Sequence, residues 1–393
     1  MSNSGHKSKV ATAGLPETAP YVDEALRQSG IDPDRLSIVK LGTVHRFPSA
    51  PPWLVRLAIG LALSGAQFFV VSAFPAIPLL LIALLQLVAG LVVLMAACEI
   101  LVTATERLAA RLHWNHYTAG TVAEIISTTP ELVVIAFIIP VSPLTAFVIA
   151  LITIYNNALV FSLYSYFLPK DKYGKYLMPV PITEAGTQIL IAGAAMGLIL
   201  GLVMLTFSSS GQEKNAFDAI DLVFVSLVLL CIFGVYVYKL VSSYAEEEEE
   251  VRENLAMSSS DIAQRLDSVY ENIRPSSLRL IVLLFFTGAL GAFIGGHEVS
   301  LFAHIMLSEL QFNPILTALI LALFAGMSEY VILWQSHRKR EYGIALANAF
   351  GGITQVMFLV LPYTLFCIAL YQTFLNPAHP ELPLQFTVSN MLL

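Results

Sequence analysis

Residues Ser127 to Ile139 read STTPELVVIAFII, and this stretch sets a proline and a carboxylate, Pro130 and Glu131, inside an otherwise apolar run. Composition shows what surrounds them. The 393 residues are 56% hydrophobic and 12% charged, about half the charged fraction of ordinary soluble domains. About 20 apolar residues suffice to cross a hydrocarbon core as a helix. Nine such runs fall at 53–73, 76–102, 118–139, 143–168, 182–206, 220–241, 278–296, 313–335 and 342–374. The quoted stretch lies in the third.

A carboxylate at the bilayer centre costs at least about 2.5 to 3.5 kcal/mol, so it faces a cavity or a partner rather than lipid. Glu131 therefore calls for a compensating cation. Pro130 has no N–H, which leaves the carbonyl of Ile126 without its helical donor and favours a break in the span. Thr128 and Thr129 add hydroxyl oxygens beside it.

The stretch recurs as FAGMSEYVILW, Phe324 to Trp334, with Ser328 and Glu329 in place of Pro130 and Glu131. The alignment runs on without a gap. Glu131 lies 26 residues before Asn157 in ALITIYNNALVF, and Glu329 lies 26 before Gln355 in NAFGGITQVMFL. Lys and Arg near span ends mark the cytoplasmic side. Arg107 and Arg111, Lys170 to Lys175, Arg252 to Arg274, and Arg338 to Arg340 occupy alternate loops, whereas the intervening loops have Lys214 alone. The amino terminus is then cytoplasmic. The third and eighth spans run in opposite senses, which is the inverted-repeat arrangement of many secondary transporters, with a midplane site at the repeat interface.

The expected fold is all-α: a polytopic membrane bundle of two inverted-topology repeats preceded by one extra amino-terminal span. Its parts are a cytoplasmic tail (1–52), the extra span (53–75), a first repeat (76–242), an acidic cytoplasmic loop (243–277) and a second repeat (278–393). The last twelve residues, LPLQFTVSNMLL, make about 18 Å of helix, short of a span, so the second repeat reads as truncated by two spans.

Thr128, Glu131, Asn157, Ser328, Glu329 and Gln355 together offer hard oxygen, which suits calcium with its six to eight oxygen ligands. Two glutamates carry a charge that one calcium ion or two protons neutralise. If exchange between conformations requires a filled site, calcium moving one way drives protons or sodium the other. The partners so expected are the lipid bilayer, calcium and a counter-transported cation, with self-association left open. No cofactor and no nucleic acid is expected.

These residues resemble the calcium/cation antiporter superfamily, most closely its cation/proton exchanger branch, from about residue 53 onward. Each repeat of that branch carries a glutamate, followed in the next helix by Asn in the first repeat and Gln in the second, as Glu131 with Asn157 and Glu329 with Gln355. GITQ is similar to its second-repeat Ser-Thr-Gln stretch, and TTPEL to the form in sodium/calcium exchangers. The resemblance implies a calcium/proton antiporter, with sodium as the alternative counter-ion. It places the protein in a vacuolar or other endomembrane of a eukaryote, or the inner or plasma membrane of a bacterium. It also implies an acidic helix at Glu246 to Glu250. The chain departs from the branch at Tyr330, where His is usual, and in lacking Gly-Asn before each glutamate.

Other residues are readable in two ways. Asn156 and Asn348 are either ligands or helix-bridging amides. Glu124, two turns before Glu131, lines an inner entrance or caps a helix. Glu298, His304 and Glu309 fit a solvated outer loop or a vestibule, and Glu184 with Gln188 satisfy each other at i and i+4. Cys98, Cys231 and Cys367 show no metal or disulfide spacing. An intramembrane hydrolase is disfavoured because H-E-x-x-H, G-x-S-x-G and paired membrane aspartates are all missing. A passive channel, or an inactive protein of the same fold, stands as the alternative to coupled transport.

Overall fold

The computed structural model describes residues 51–73, 77–112, 116–167, 187–191, 193–195, 197–198, 219–258, 277–326, 329–330, 333–334, 337 and 351–376. Among them the regular structure is α- and π-helix without strand. Six helical stretches are long and apolar enough to cross a membrane: Leu79–Ala109, Thr121–Ile138, Pro143–Ser165, Ala219–Ser242, Leu278–Glu309 and Gly351–Leu375. This is a multi-pass membrane protein. Lipid-type surfaces agree, for Leu80, Phe286, Phe293 and Leu319 are exposed while Ile135, Ile149, Phe302 and Val356 form a sealed interior.

Helix α1 (Pro52–Ala73) lies on α2 (Leu79–Leu112), and α2 in turn crosses α7 (Leu278–His304). Small residues set this crossing. A Cβ on Gly90 would lie 2.9 Å from the Gly295 carbonyl, and one on Gly295 would lie 2.9 Å from the Gly90 carbonyl. The two backbones therefore touch, as small residues permit in membrane helices. Arg56 pairs with Glu99, and Gln67 donates to Glu298, so polar contacts join α1 to both.

Helices α3 (His116–Ser127) and α4 (Thr129–Ile138) share the third span. They are followed by α5 (Pro143–Ser165), whose Ser142 cap accepts from the Thr145 N–H at 3.2 Å. Helix α6 (Ala219–Ser258) comes next, then α7, α8 (Pro314–Ala325) and the Gly351–Leu375 span with α9 (Leu361–Leu370) at its centre.

Several sequence expectations change. The seventh span does not end near 296. It runs through His304 and a π-turn, Ile305–Glu309, and its glycines near 296 are packing positions: Gly295 against Leu94 and Gly296 against Val133. Glu298 is accordingly a buried helical residue bonded to Gln67 rather than part of a solvated loop, whereas His304 and Glu309 are exposed. The acidic loop expected from 243 begins as helix, since α6 continues to Ser258, in line with the high helix propensity of Glu. The second span likewise extends to Leu112. The eighth is interrupted, with α8 closing at Gly326. In the ninth, Pro362 cannot donate to the Phe358 carbonyl, and the π-turn Val356–Val360 comes just before it. The expected span 182–206 is described only in part, and the tail 1–50 and the terminal 377–393 lie outside the described residues, as do Glu184 and Asn348.

Candidate functional site

The break in the third span is at Thr128, with φ −79° and ψ −10°, between α3 and α4. Pro130 removes the donor that would reach Ile126, and the local hydroxyls turn back onto the chain. Ser127 Oγ donates to the Glu124 carbonyl at 2.6 Å, and Thr128 Oγ1 to the Ile125 carbonyl at 2.7 Å. The Thr128 hydroxyl thus spends its proton on the break, while its oxygen keeps lone pairs. Helix resumes through a bond from the Leu132 N–H to the Thr128 carbonyl at 3.1 Å.

The second break uses other chemistry for the same geometry. Helix α8 is capped at Gly326, and the Tyr330 N–H donates to the Gly326 carbonyl at 3.2 Å. In each case the residue after the glutamate bonds to the residue three before it. Ser328 lies outside the described residues.

Both glutamates are buried, Glu131 at 6% exposure and Glu329 at 9%, with Asn157 at 4% and Gln355 at 3% beside them in depth. These polar groups are not satisfied by protein alone. Glu131 Oε1, Asn157 Oδ1 and Gln355 Oε1 are buried without a hydrogen-bond partner. Leaving such groups bare costs about 1 to 3 kcal/mol each, so the arrangement points to an external ligand.

Gly352 shows how the elements meet. A Cβ there would lie 2.8 Å from Glu329 Oε2 and 3.2 Å from Asn157 Nδ2, so the glycine opens the space where Glu329 and the Asn157 amide come together. Glu131 is within electrostatic reach of Glu329, and Tyr330 of both. Among the described residues no three His, Cys, Asp or Glu side chains converge on one point. The chemistry on offer is pairwise carboxylate with neutral oxygen, which matches a hard cation.

Two residues gained importance over their sequence reading. Cys98 Sγ donates to the Ser127 carbonyl at 3.7 Å and lines, with Leu87, Met95, Val134 and Phe324, a cavity that opens onto Pro130 and Glu131. No spacing rule could have found it, because its partner is a backbone carbonyl on another helix. Glu124 has its carboxylate against Gly351 and within electrostatic reach of Glu329. Its two-turn offset from Glu131 was the available signal. Asn156 is half-buried, with an unpartnered Nδ2.

Residues 279–393 match the sodium/calcium exchanger protein family. The matched segment begins in α7 and contains Glu329 and Gln355, so the superfamily resemblance read from the sequence is supported in that half. The family is one of exchangers, membrane transporters rather than enzymes. The crystal structure of the H+/Ca2+ exchanger CAX is similar to the chain, with a TM-score of 0.46 and 13% identity over 86% of this chain and 79% of that one. No curated protein sequence matches the chain.

Proposed function

We propose that the protein is a secondary antiporter that moves calcium against a monovalent cation through one site shared by two inverted repeats. Glu131 and Asn157 serve from the first repeat, and Glu329 and Gln355 from the second, with the Thr128 and Ser328 oxygens as lesser ligands. The observation that carries this reading is the set of buried, unpartnered oxygens around two carboxylates in a bilayer-depth interior. Calcium neutralises the pair, and so do two monovalent ions. An empty site leaves both charges in low dielectric and opposes the conformational exchange. Tight coupling follows.

The matched hydrogen bonds at the two breaks support the repeat, and the alternating basic loops support a cytoplasmic amino terminus. Protons are the favoured counter-ion because GITQ and the acidic extension of α6 resemble the proton-coupled branch. Sodium is the second reading, favoured by TTPEL, by Tyr330 and by the name of the family matched over 279–393. Purified protein in liposomes, given radioactive calcium and either a pH or a sodium gradient, separates the two. Gradient-driven uptake that Glu131→Gln and Glu329→Gln each abolish is expected. Calcium flux indifferent to both gradients would identify a channel, and no flux would sink the reading.

A further inference from the structure

Glu124 has no part in the site just proposed, yet its Oε1 is buried without a hydrogen-bond partner. Its carboxylate lies so close to Gly351 that a Cβ could not occupy the same space. The next residue, Gly352, faces Glu329 Oε2 and Asn157 Nδ2. Two consecutive glycines therefore face the Glu124 and Glu329 carboxylates in turn, and these two carboxylates lie within electrostatic reach of each other. Other oxygens gather there. Thr354, fully buried, donates its hydroxyl proton to the Gly351 carbonyl at 2.9 Å, and Tyr236 interacts with both Thr354 and Glu124. Asn157 Oδ1, on a side chain only 4% exposed, has no partner.

Glu329 interacts with Glu124 and with Glu131, but the three carboxylates do not converge on one point. The geometry is that of two pairs sharing a member. We infer a second calcium station between Glu124 and Glu329, on the amino-terminal side of the α3–α4 break, which the ion occupies in alternation with the station between Glu329 and Glu131. This inference rests on the antiport reading. Each pair carries two negative charges and balances one calcium ion. Three carboxylates cannot balance two calcium ions, so only one station fills at a time, and a monovalent cation balances the remaining carboxylate. Glu329 keeps hold of the ion while Glu124 is traded for Glu131. An ion approaching from the amino-terminal end of α3 thus reaches the break without a stage at which it has lost its water and gained only one carboxylate.

Equilibrium dialysis of the purified full chain against radioactive calcium tests this. Wild type should bind one saturable equivalent, and Glu131→Gln should still bind one, more weakly, through Glu124 and Glu329. Glu124→Gln combined with Glu131→Gln should lose saturable binding. Gly351→Ala combined with Glu131→Gln should lose it too, by displacing the Glu124 carboxylate without removing its charge. Thermal melting of each variant checks that the fold survives. If Glu131→Gln alone binds nothing while remaining folded, or if the double glutamine variant binds as tightly as Glu131→Gln, the second station is wrong and the antiport reading stands. A wild type without calcium binding overturns both.

Discussion

Replacing Gly352 with alanine adds one methyl group at the point where Glu329 and Asn157 come together. That Cβ would lie 2.8 Å from Glu329 Oε2, about 0.6 Å inside ordinary van der Waals contact, and 3.2 Å from Asn157 Nδ2. The obstructing atoms are the ends of flexible side chains, so the fold can absorb the methyl by moving them. The site cannot. Calcium–oxygen distances lie within about 2.3 to 2.6 Å, and a 0.6 Å displacement of one carboxylate exceeds that window. A 1 Å misplacement of a positioned group can cost about a hundredfold, so about tenfold is expected here, or about 1.4 kcal/mol of binding. In liposome uptake assays the calcium concentration for half-maximal rate should rise about tenfold. The melting temperature and yield should stay near wild type. An unchanged calcium dependence in a well-folded Gly352→Ala protein would refute the claim that Glu329 and Asn157 meet the ion at this glycine.

Pro130→Ala should raise the melting temperature and slow calcium uptake, since the new N–H can reach the Ile126 carbonyl and join α3 to α4; faster uptake would argue against a functional break. Gly295→Ala should destabilise the protein by about 1 to 3 kcal/mol, because its Cβ meets the immovable Gly90 carbonyl as well as the Leu94 side chain, and thermal melting reads this directly. Gln67→Ala should cost about 1 to 3 kcal/mol by leaving the buried Glu298 carboxylate without its donor, again seen in the melting curve.

Much of this architecture was legible because hydrocarbon is an unforgiving solvent. Apolar runs of sufficient length gave the starts of α1, α5 and α7 to within a residue of those observed. A carboxylate inside such a run, as at Glu131 and Glu329, has few explanations other than a partner or an ion. Span ends were less legible. Helix continues past 296 because Gly295 and Gly296 serve interhelical contact, and a sequence does not reveal whether a glycine is packed or turning. The same blindness hid the interior roles of Glu298 and Glu124. One was read as a solvated loop or vestibule residue and the other as an entrance or cap residue, because the partners Gln67 and Gly351 are distant in the chain and neither shares a motif with them.

On the proposed repeat reading, the two breaks explain why the likeness between the third and eighth spans is so faint in the sequence. What recurs is a backbone requirement: the residue after the glutamate must bond to the carbonyl three residues before it, and the helix leading in must stop there. Leu132 with Thr128 and Tyr330 with Gly326 meet it at 3.1 and 3.2 Å. Proline meets the second condition by withholding an N–H, whereas Gly326 meets it by ending α8 as a cap. Neither solution constrains the residues of the other, so Pro130 and Ser328 can occupy aligned positions without resembling each other. The glutamate is different. A carboxylate is the small, fully charged oxygen donor that a desolvated cation requires, and no apolar or amide side chain replaces that charge. Backbone geometry can thus drift in sequence while its chemistry stays fixed, which is why Glu131 and Glu329, set among dissimilar neighbours, are the clearest trace of the proposed repeat.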